Sequence, residues 1–365
     1  MIPLFKHYPL LGEKLPYVSL GEFPTPVQKL DRLGKHTGAN FLYIKRDDIT
    51  GKIYGGNKVR KLEFILGNVL KTKAKEVLTF GFAGSNHALA TTIYGHLFGL
   101  RTISMLLPQP NAFYVRDNLL ISNYYGAELH EHSNIPFLTI ASIYHLLRHK
   151  IKYGRFPSIV PAGGSSFVGT IGYVNAAFEL KEQIMEGIIP EPDYIYVTFG
   201  SMGTVAGLNL GLRAAKLKTK IIAIQIIDKK FASLNKLVQL FHKTIFFLSS
   251  LDYSFPKITF SSQDIDIRED FKGQGYACFS EQGLSSITCM KEMEEIKLDG
   301  TYTGKTLAAL INDAQKGFLQ DKVVLFWNTY NSRTFPDIIN NYDHKKLPKC
   351  FYKYFEQDVQ PLDKP

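Results

Sequence analysis

The sequence predicts an α/β protein built on mostly parallel sheets with helices on both faces. Short apolar runs rich in β-forming residues alternate with glycine-bearing turns and helical patterns, the order expected of such sheets. The chain has 365 residues, 45% apolar and 21% charged, as in ordinary globular proteins. A chain of this length buries a large core, and we expect two lobes rather than one.

The alternation can be followed along the chain. It begins with a strand at 41–45 and a helix at 58–70. The later strands are predicted at 76–80, 101–107, 194–199, 220–227 and 323–327, and the helices near 85–98, 113–125 and 204–217. Residues 336–365 have no clear periodicity, so we expect an irregular tail that packs on the surface or on a partner subunit.

Composition argues against several classes of protein. The most apolar runs, 221–227 and 244–251, are well short of the roughly 20 residues that a membrane helix needs. The start of the chain, with Pro3, Lys6 and Pro9, does not resemble a signal peptide. The three cysteines are an odd number without a CxxC pair, which argues against a disulfide framework or a thiolate zinc site. We therefore expect a cytoplasmic protein without a membrane association.

The net charge of +10 raises the question of a nucleic-acid partner. The basic residues are spread along the chain and alternate with acidic ones, and no basic run is long enough to form a binding tail. We expect no nucleic-acid binding. The positive charge is instead suited to attracting small anionic substrates or cofactors.

The first segment with chemical potential is Tyr54-Gly55-Gly56-Asn57-Lys58. The two glycines permit a tight turn, and they place Lys58 at the start of a helix. The positive end of the helix dipole lowers the pKa of an amine there, and a partly neutral amine is what Schiff-base chemistry requires. Taken alone, the segment favours a loop carrying a solvated lysine, as most lysines are.

Two further glycine turns open helices. Gly84-Ser85-Asn86-His87 follows a strand, with Ser85 as the predicted N-cap and the first N–H groups available to a carboxylate. Gly200-Ser201-Met202-Gly203-Thr204 also follows a strand and directs several N–H donors and two hydroxyls toward one point, which suits a phosphate. It is neither a Walker loop nor a dinucleotide fingerprint. Simple capping remains an alternative for both segments.

Other candidate motifs are rejected. Residues 300–306 resemble a Walker loop but are one residue short between the glycines, so we do not expect ATP binding. His130 and His132 have no third ligand at a suitable spacing, and we expect a surface loop and no metal site. The sequence contains no GxSxG esterase motif.

Taken together and in this order, these segments resemble the pyridoxal-phosphate family of 1-aminocyclopropane-1-carboxylate deaminases and D-cysteine desulfhydrases. The similarity extends from Phe23 to about Thr329. It includes the segments 23–26 (FPTP), 45–48 (KRDD), 55–64 (GGNKVRKLEF), 85–87, 163–165, 169–176, 200–208, 275–276 and 302–305. The combined pattern favours a Schiff-base lysine, a carboxylate site and a phosphate site at the three glycine segments.

The resemblance implies the tryptophan-synthase-β-like fold, pyridoxal-phosphate fold type II. Two open, twisted parallel-sheet domains are expected, with the smaller domain inserted in the larger. We place the large cofactor-binding domain at 1–63 and 170–365 and the small domain at 64–169. The family is typically homodimeric or larger, so a homodimer is the expected assembly.

The resemblance also implies roles for individual residues of this chain. Lys58 is the Schiff-base lysine, and Asn86 contacts the hydroxyl of the pyridine ring. Ser85 and His87, with Gly163, match the substrate-carboxylate site, and Tyr276 and Tyr302 face the substrate. The residues that bind the rest of the cofactor are Lys61, Gly200, Ser201, Met202, Gly203, Thr204, Thr303 and Thr329. Lys58 is also expected to act as the base for the α-proton of the substrate.

The position after Tyr302 separates the two branches of the family. Deaminases resemble each other in carrying a glutamate there, whereas the desulfhydrase pattern has threonine, and this chain has Thr303. We therefore expect β-elimination from a small amino acid, D-cysteine for preference, giving pyruvate, ammonia and sulfide. The alternatives are a 1-aminocyclopropane-1-carboxylate deaminase, a D-serine-type eliminase, and a cofactor-binding protein with eroded catalysis.

Three positions depart from the family pattern. Met202 stands where the family has glycine, and Gly84 stands where it has glutamine. The family's His-Thr-Gly-Gly near the pyridine nitrogen corresponds to Asn328-Thr329-Tyr330-Asn331 in this chain. The large Tyr330 side chain replaces a glycine that lets the backbone pass close to the ring. From these departures we expect a shifted substrate preference or a lower activity.

Overall fold

The computed structural model describes residues 1–364, which contain ten β-strands and fourteen α-helices. The strands are β1 (Val27–Lys29), β2 (Phe41–Lys45), β3 (Glu76–Phe82), β4 (Arg101–Leu107), β5 (Glu128–Glu131), β6 (Ser158–Val160), β7 (Tyr194–Phe199), β8 (Lys220–Gln225), β9 (Ile265–Arg268) and β10 (Val323–Trp327). The helices are α1 (Pro3–His7), α2 (Pro9–Lys14), α3 (Asp31–Thr37), α4 (Asn57–Lys71), α5 (Asn86–Leu97), α6 (Phe113–Tyr124), α7 (Ile135–Tyr153), α8 (Phe167–Met185), α9 (Gly203–Ala214), α10 (Leu234–Leu251), α11 (Glu281–Glu294), α12 (Thr303–Gln315), α13 (Pro336–Asn341) and α14 (Lys353–Glu356).

The larger of two compact units comprises residues 1–16, 21–64 and 165–333. Its six-stranded sheet has the order β1-β2-β10-β7-β8-β9, and every pairing is parallel except that of β1 with β2. Parallel strands need crossover connections, and helices supply them, so the central strands β7 and β10 are buried on both faces. Leu42, Val324 and Phe326 are fully buried in one core cluster against residues of α3, α11 and α12.

The smaller unit comprises residues 17–20, 65–164 and 334–364. Its sheet has the order β5-β4-β3-β6, with all three pairings parallel. Two parallel sheets with crossover helices confirm the predicted fold class. The strands predicted at 41–45, 101–107, 194–199 and 323–327 have the predicted bounds.

The C-terminal segment differs from the prediction in two respects. It contains α13, α14 and several short 3-10 turns, and it belongs to the smaller unit, whereas the predicted boundaries put it in the large domain. Hydrogen bonds explain this placement. The Tyr354 hydroxyl donates to Glu131 Oε1 at 2.5 Å, and Asn111 Nδ2 donates to the Tyr354 carbonyl at 2.9 Å. The short helices lack the apolar periodicity that would have revealed them from sequence.

A buried polar network stabilises the larger unit. Glu179 of α8 accepts hydrogen bonds from Lys45 Nζ at 2.6 Å and from Arg60 Nη1 at 2.9 Å, and all three side chains are almost completely buried. Arg60 Nη2 also donates to Asp47 Oδ1 at 2.7 Å, and Trp327 Nε1 donates to Asp47 Oδ2 at 2.7 Å. The network therefore connects β2, β10 and α8 to α4, the helix that begins next to Lys58.

Among the described residues, no helix combines the length and the apolar character that crossing a bilayer requires.

Candidate active site

The turn before α4 presents Lys58 in the first turn of that helix. Gly56 has φ +86°, and a Cβ there would lie 2.8 Å from the Tyr330 carbonyl oxygen and 3.0 Å from that of Thr329. The Asn57 N–H donates to the Thr329 carbonyl at 3.2 Å. Only glycine fits this left-handed, closely approached position, so the segment 329–330 determines where α4 begins.

The amine of Lys58 is held inside the larger unit. Its Nζ donates to Asn57 Oδ1 at 2.9 Å. Burial lowers the pKa of Lys58 to about 8, and the negative charge of Asp299 offsets part of that effect. A lysine whose pKa is near 8 is neutral in a sizeable minority of molecules at neutral pH, as a nucleophile or a general base requires.

The start of α9 forms a candidate anion-binding cradle. A Cβ at Gly203 would lie 2.8 Å from Ser165 Oγ and 3.0 Å from Lys61 Nζ, so the glycine leaves room beside a hydroxyl and an ammonium group. The Gly203 N–H donates to Ser165 Oγ at 3.1 Å, and Ser165 Oγ donates to Ser201 Oγ at 2.9 Å. N–H groups, hydroxyls and a lysine at a helix N-terminus are the donors that a phosphate prefers.

Lys61 is 1% exposed in this cradle. Burial lowers the pKa of Lys61 well below its usual value, and the charge of Lys58 lowers it further. An anion bound in the cradle would favour the charged form of Lys61. The residues therefore fit a phosphate group by charge as well as by space.

Met202, the residue before Gly203, has φ +69° although it carries a side chain. This left-handed conformation costs a non-glycine residue about 1–2 kcal/mol. The turn keeps its shape without the glycine that the family pattern has there.

Asn57 Nδ2 also donates to Thr204 Oγ1 at 3.1 Å, so the same asparagine contacts the lysine of α4 and the first turn of α9.

Two tyrosines form a hydrogen-bonded pair in the larger unit. The hydroxyls of Tyr276 and Tyr302 are 2.5 Å apart, and their rings pack edge to face. Burial raises the pKa of Tyr276 to about 12, so this hydroxyl keeps its proton at neutral pH. A Cβ at Gly200 would lie 4.0 Å from the Tyr302 ring, which places the pair beside the cradle loop.

Lys305 has a structural role. Its Nζ donates to the carbonyls of Lys272 and Gly275 at 2.7 Å and 3.0 Å, which fixes the loop that carries Tyr276. This agrees with the rejection of an ATP-binding loop at residues 300–306. The lysine is bonded to backbone carbonyls and is not directed at a phosphate.

Asp299 is a partly buried acid that was not expected from the sequence. Its carboxylate accepts hydrogen bonds from the N–H groups of Thr301, Tyr302 and Thr303 at 3.1, 2.9 and 3.0 Å. Thr303 Oγ1 donates to Asp299 Oδ1 at 2.6 Å and accepts from the Asp299 N–H at 2.9 Å. Burial raises the pKa of Asp299, and these hydrogen bonds lower it in part. The turn thereby fixes Tyr302 at the start of α12.

The remaining predicted site residues lie in the smaller unit. Ser85 is the N-cap of α5, as predicted, and its Oγ accepts from the Ala88 N–H at 3.2 Å. Asn86 Oδ1 accepts from Asn118 Nδ2 at 2.9 Å, which fixes the side-chain amide. His87 is on the buried face of α5, and Gly163, with φ +65°, is in a short turn that packs against α5. All four residues thus belong to the smaller unit, and their role in binding a carboxylate stays a prediction.

Gly84, which departs from the family pattern, has a local explanation. Its N–H donates to Gln109 Oε1 at 2.9 Å. A Cβ at this position would lie 2.8 Å from both Tyr114 and Val115. A larger residue at position 84 would therefore displace these side chains, and Gln109 provides an amide group beside the Ser85 turn.

The expectation that His130 has no third ligand partner is corrected by the structure. Glu128 and His145 approach His130, and one donor atom from each of the three lies within 4.8 Å of the others. His145 could not be recognised from sequence because it comes from α7, which the periodicity did not reveal.

Nevertheless, this cluster is an ion-pair network. Arg148 donates to Glu128 Oε1 at 2.9 Å and to Oε2 at 2.8 Å, and Arg101 donates to Oε2 at 2.5 Å. Hydrogen bonds from His130 and Arg148 hold the pKa of Glu128 well below its usual range. Two guanidinium groups already compensate the carboxylate, so the cluster joins β5 to α7 by ion pairs.

Three site residues were missed by sequence reasoning. The side chain of Asn57 contacts Lys58, and that of Ser165 contacts Gly203. The side chain of Asp299 contacts Thr303. Asp299 had a detectable signal, since an acid followed closely by a helix start is typical of a cap. The contacts of Asn57 and Ser165 with α9 had none, because those partners are distant in sequence.

Comparison with known proteins agrees with this geometry. A family described as "Pyridoxal-phosphate dependent enzyme" matches residues 18–329. A putative 1-aminocyclopropane-1-carboxylate deaminase of Pyrococcus furiosus is 32% identical over 89% of this chain and 95% of its own length. A D-cysteine desulfhydrase of Serratia proteamaculans is 31% identical over 87% of this chain and 94% of its own length.

A solved structure described as an ACC deaminase homologue superposes with a TM-score of 0.76 at 31% identity, covering 90% of this chain and 94% of that one. The matching sequences and the matching fold extend over the same regions as the cradle and the lysine turn. This chain belongs to the family of pyridoxal-phosphate dependent enzymes.

Proposed function

We propose that this chain is a pyridoxal-phosphate lyase that eliminates the β-substituent of a small amino acid, with D-cysteine as the preferred substrate. The observation that carries the proposal is the position of Lys58, a lysine with a pKa of about 8 in a turn bonded to the first turn of α9. The products are pyruvate, ammonia and hydrogen sulfide, and one water is consumed.

The cofactor, when bound, supplies the electron sink that makes the α-proton of the substrate acidic. In this proposal Lys58 would hold the cofactor, and its amine would accept the α-proton of the substrate. Gly203, Ser165 and Lys61 bind the phosphate. In the smaller unit, Ser85, Asn86 and His87 with Gly163 bind the substrate carboxylate and the ring hydroxyl.

The tyrosine pair serves the leaving group in this proposal. Tyr276 retains its proton because burial raises its pKa to about 12. The 2.5 Å contact with Tyr302 lets either hydroxyl pass a proton to the other. One hydroxyl can therefore protonate the departing sulfur and be reprotonated by the other, and the pair regains the lost proton from solvent after the products leave.

The alternative substrate is 1-aminocyclopropane-1-carboxylate. The relative from Pyrococcus furiosus and the solved homologue, both named for that deaminase, favour it as a second candidate. A panel of D- and L-cysteine, D-serine and the cyclopropane substrate, assayed for pyruvate, 2-oxobutanoate and sulfide, tests the choice. Sulfide release from D-cysteine supports our proposal, and 2-oxobutanoate release from the cyclopropane substrate alone would replace it.

We also propose a homodimeric, cytoplasmic protein. The resemblance to the deaminase and desulfhydrase family supports the dimer. All three cysteines, Cys278, Cys289 and Cys350, are free thiols, as is usual in a reducing compartment.

The first prediction concerns covalent attachment. Borohydride treatment of the protein with its cofactor is expected to fix the label on Lys58, which peptide mapping by mass spectrometry will show. Lys58→Arg keeps a positive charge and should take up no label. A label on Lys61, which is nearby and also has a lowered pKa, would contradict the assignment of Lys58.

The second prediction concerns the cradle. Gly203→Ala is expected to weaken cofactor binding by roughly 10- to 100-fold, because inserting a methyl group into a packed site costs about 1–3 kcal/mol. Gly203→Val should weaken it further. Cofactor affinity is measured by titrating the cofactor-free protein and following absorbance.

A neighbouring glycine supplies the matched control. A Cβ at Gly200 would meet Ile226 at 3.5 Å, an ordinary contact. Gly200→Ala should therefore bind the cofactor almost as tightly as the native chain. Equal affinities for Gly203→Ala and Gly200→Ala would mean that the phosphate is bound elsewhere.

A further inference from the structure

Helix α7 of the smaller unit is amphipathic in an unusual way. Its inner face buries Leu138, Ser142, His145 and His149. Its opposite face exposes Phe137, Ile140, Tyr144, Leu147 and Ile151, with exposed fractions of 58%, 65%, 62%, 50% and 86%. We call these five residues the α7 stripe. A soluble helix normally carries polar residues on the face turned away from its own core.

The spacing of the α7 stripe is that of a helix-pairing seam. Its residues follow one another at intervals of three, four, three and four, which is the a and d pattern of two heptads. On an α-helix these positions form one narrow line, because the heptad repeat nearly equals two turns. Such a line is shaped to meet another helix.

The exposed apolar area is large enough for a stable contact. With the flanking Ile143, which is 51% exposed, the stripe presents roughly 600–700 Å² of surface. The largest apolar patch on a typical monomer is about 300–600 Å². A standard interface buries about 800 Å² on each partner.

The charges on α7 favour one orientation of the second helix. Lys150 and Lys152 are both in its C-terminal half, and the helix contains no acidic residue. A parallel pair would bring the basic halves together, and like charges repel. An antiparallel pair instead places each basic half beside the neutral half of the other helix.

We propose that the α7 stripe is a self-association surface, on which α7 of a second copy of this chain packs antiparallel. The two stripes are in contact over their full length when the two-fold axis passes through Tyr144, the central residue of the stripe. Phe137 then faces Ile151 of the second copy, and Ile140 faces Leu147. This surface is independent of the reaction proposed above.

Solution mass tests the proposal. Tyr144→Arg puts two like charges on the axis, and the mass measured by light scattering at micromolar concentration is expected to fall by half. Thr139→Arg is the matched control, since Thr139 is exposed on α7 but outside the stripe. The control should keep the native mass. An unchanged mass in Tyr144→Arg would overturn the proposal.

Cysteine cross-linking tests the orientation, in a Cys350→Ser background that removes the exposed native thiol. Tyr144→Cys should form a disulfide-linked dimer by itself. Phe137→Cys alone should not, because its copy would be about 21 Å away along the helix pair. A mixture of Phe137→Cys and Ile151→Cys chains should link. Cross-linking of Phe137→Cys alone would indicate a parallel pair and overturn the antiparallel arrangement.

A lipid surface is the competing partner for an apolar stripe flanked by basic residues. The native chain is therefore sedimented with vesicles of phosphatidylcholine and phosphatidylglycerol, beside Tyr144→Arg. If the native chain binds the vesicles, the variant does not, and both have the same solution mass, then the partner of the α7 stripe is a membrane and not a second copy. Equal recovery of both in the supernatant, with a halved mass for the variant, supports self-association.

Discussion

Glu179→Ala is expected to destabilise the larger unit by about 3–5 kcal/mol, the usual cost of removing one partner from a buried ion pair. The change leaves the charges of Lys45 and Arg60 buried, and both donate to Glu179 in the native chain. Their remaining acceptors are Asp47, Thr25 and Gln183, of which only Asp47 is charged. Trp327, the single tryptophan of the chain, donates to Asp47 and reports unfolding of this unit by its fluorescence.

Glu182, one turn further along α8, provides the matched control. It pairs with Lys6 at 3.0 Å at the surface, and the two side chains are 27% and 52% exposed. Exposed pairs contribute about 0–1 kcal/mol, so Glu182→Ala should change the urea midpoint little. Equal losses in the two variants would show that the buried network contributes no more than a surface pair.

The network also determines how acid affects stability. The charges of Arg60 and Lys45 hold the pKa of Glu179 well below its usual range, although burial alone would raise it. A depressed pKa in the folded state stabilises the protein at pH values above the pKa of the unfolded chain. That contribution is lost as the pH falls below about 4.5, so the difference between native chain and Glu179→Ala should shrink in acid.

The sequence was sufficient to predict the strands at the centre of each sheet and the glycine turns that follow β3 and β7. Buried parallel strands are continuous apolar runs, which can be recognised without an alignment. The predicted N-cap Ser85 was found for a similar reason, since capping is a local interaction. Edge strands such as β1 and β6, of three residues each, carry too little pattern to be recognised.

The parts that could not be predicted depend on tertiary contacts. Helix α7 exposes apolar residues on its outer face, so its hydrophobic pattern does not have a single apolar side. Ser165 reaches Gly203 only because α8 and α9 pack together. The short helices after residue 334 are held by side-chain hydrogen bonds to α6 and β5 residues rather than by their own periodicity.

The native enzyme is expected to use D-cysteine with a kcat/KM that exceeds that for 1-aminocyclopropane-1-carboxylate by roughly 10- to 1,000-fold. A carboxylate at position 303 would raise the pKa of the pyridine nitrogen by about 1–3 units. Each unit changes the ratio of protonated to neutral ring about tenfold. Thr303 has no charge, and its hydroxyl donates to Asp299. Opening a cyclopropane depends on a strong electron sink, whereas a thiolate can leave as the α-proton is removed.

Variants at Thr303 separate charge from structure. Thr303→Ser keeps the hydroxyl that bonds Asp299 and should keep the ratio of the two kcat/KM values. Thr303→Glu should not create an efficient deaminase, because the new carboxylate would be buried beside Asp299 and like charges raise each other's pKa. Both substrates are assayed with each variant at saturating cofactor. Efficient turnover of the cyclopropane substrate by the native chain would show that charge at position 303 does not determine the reaction.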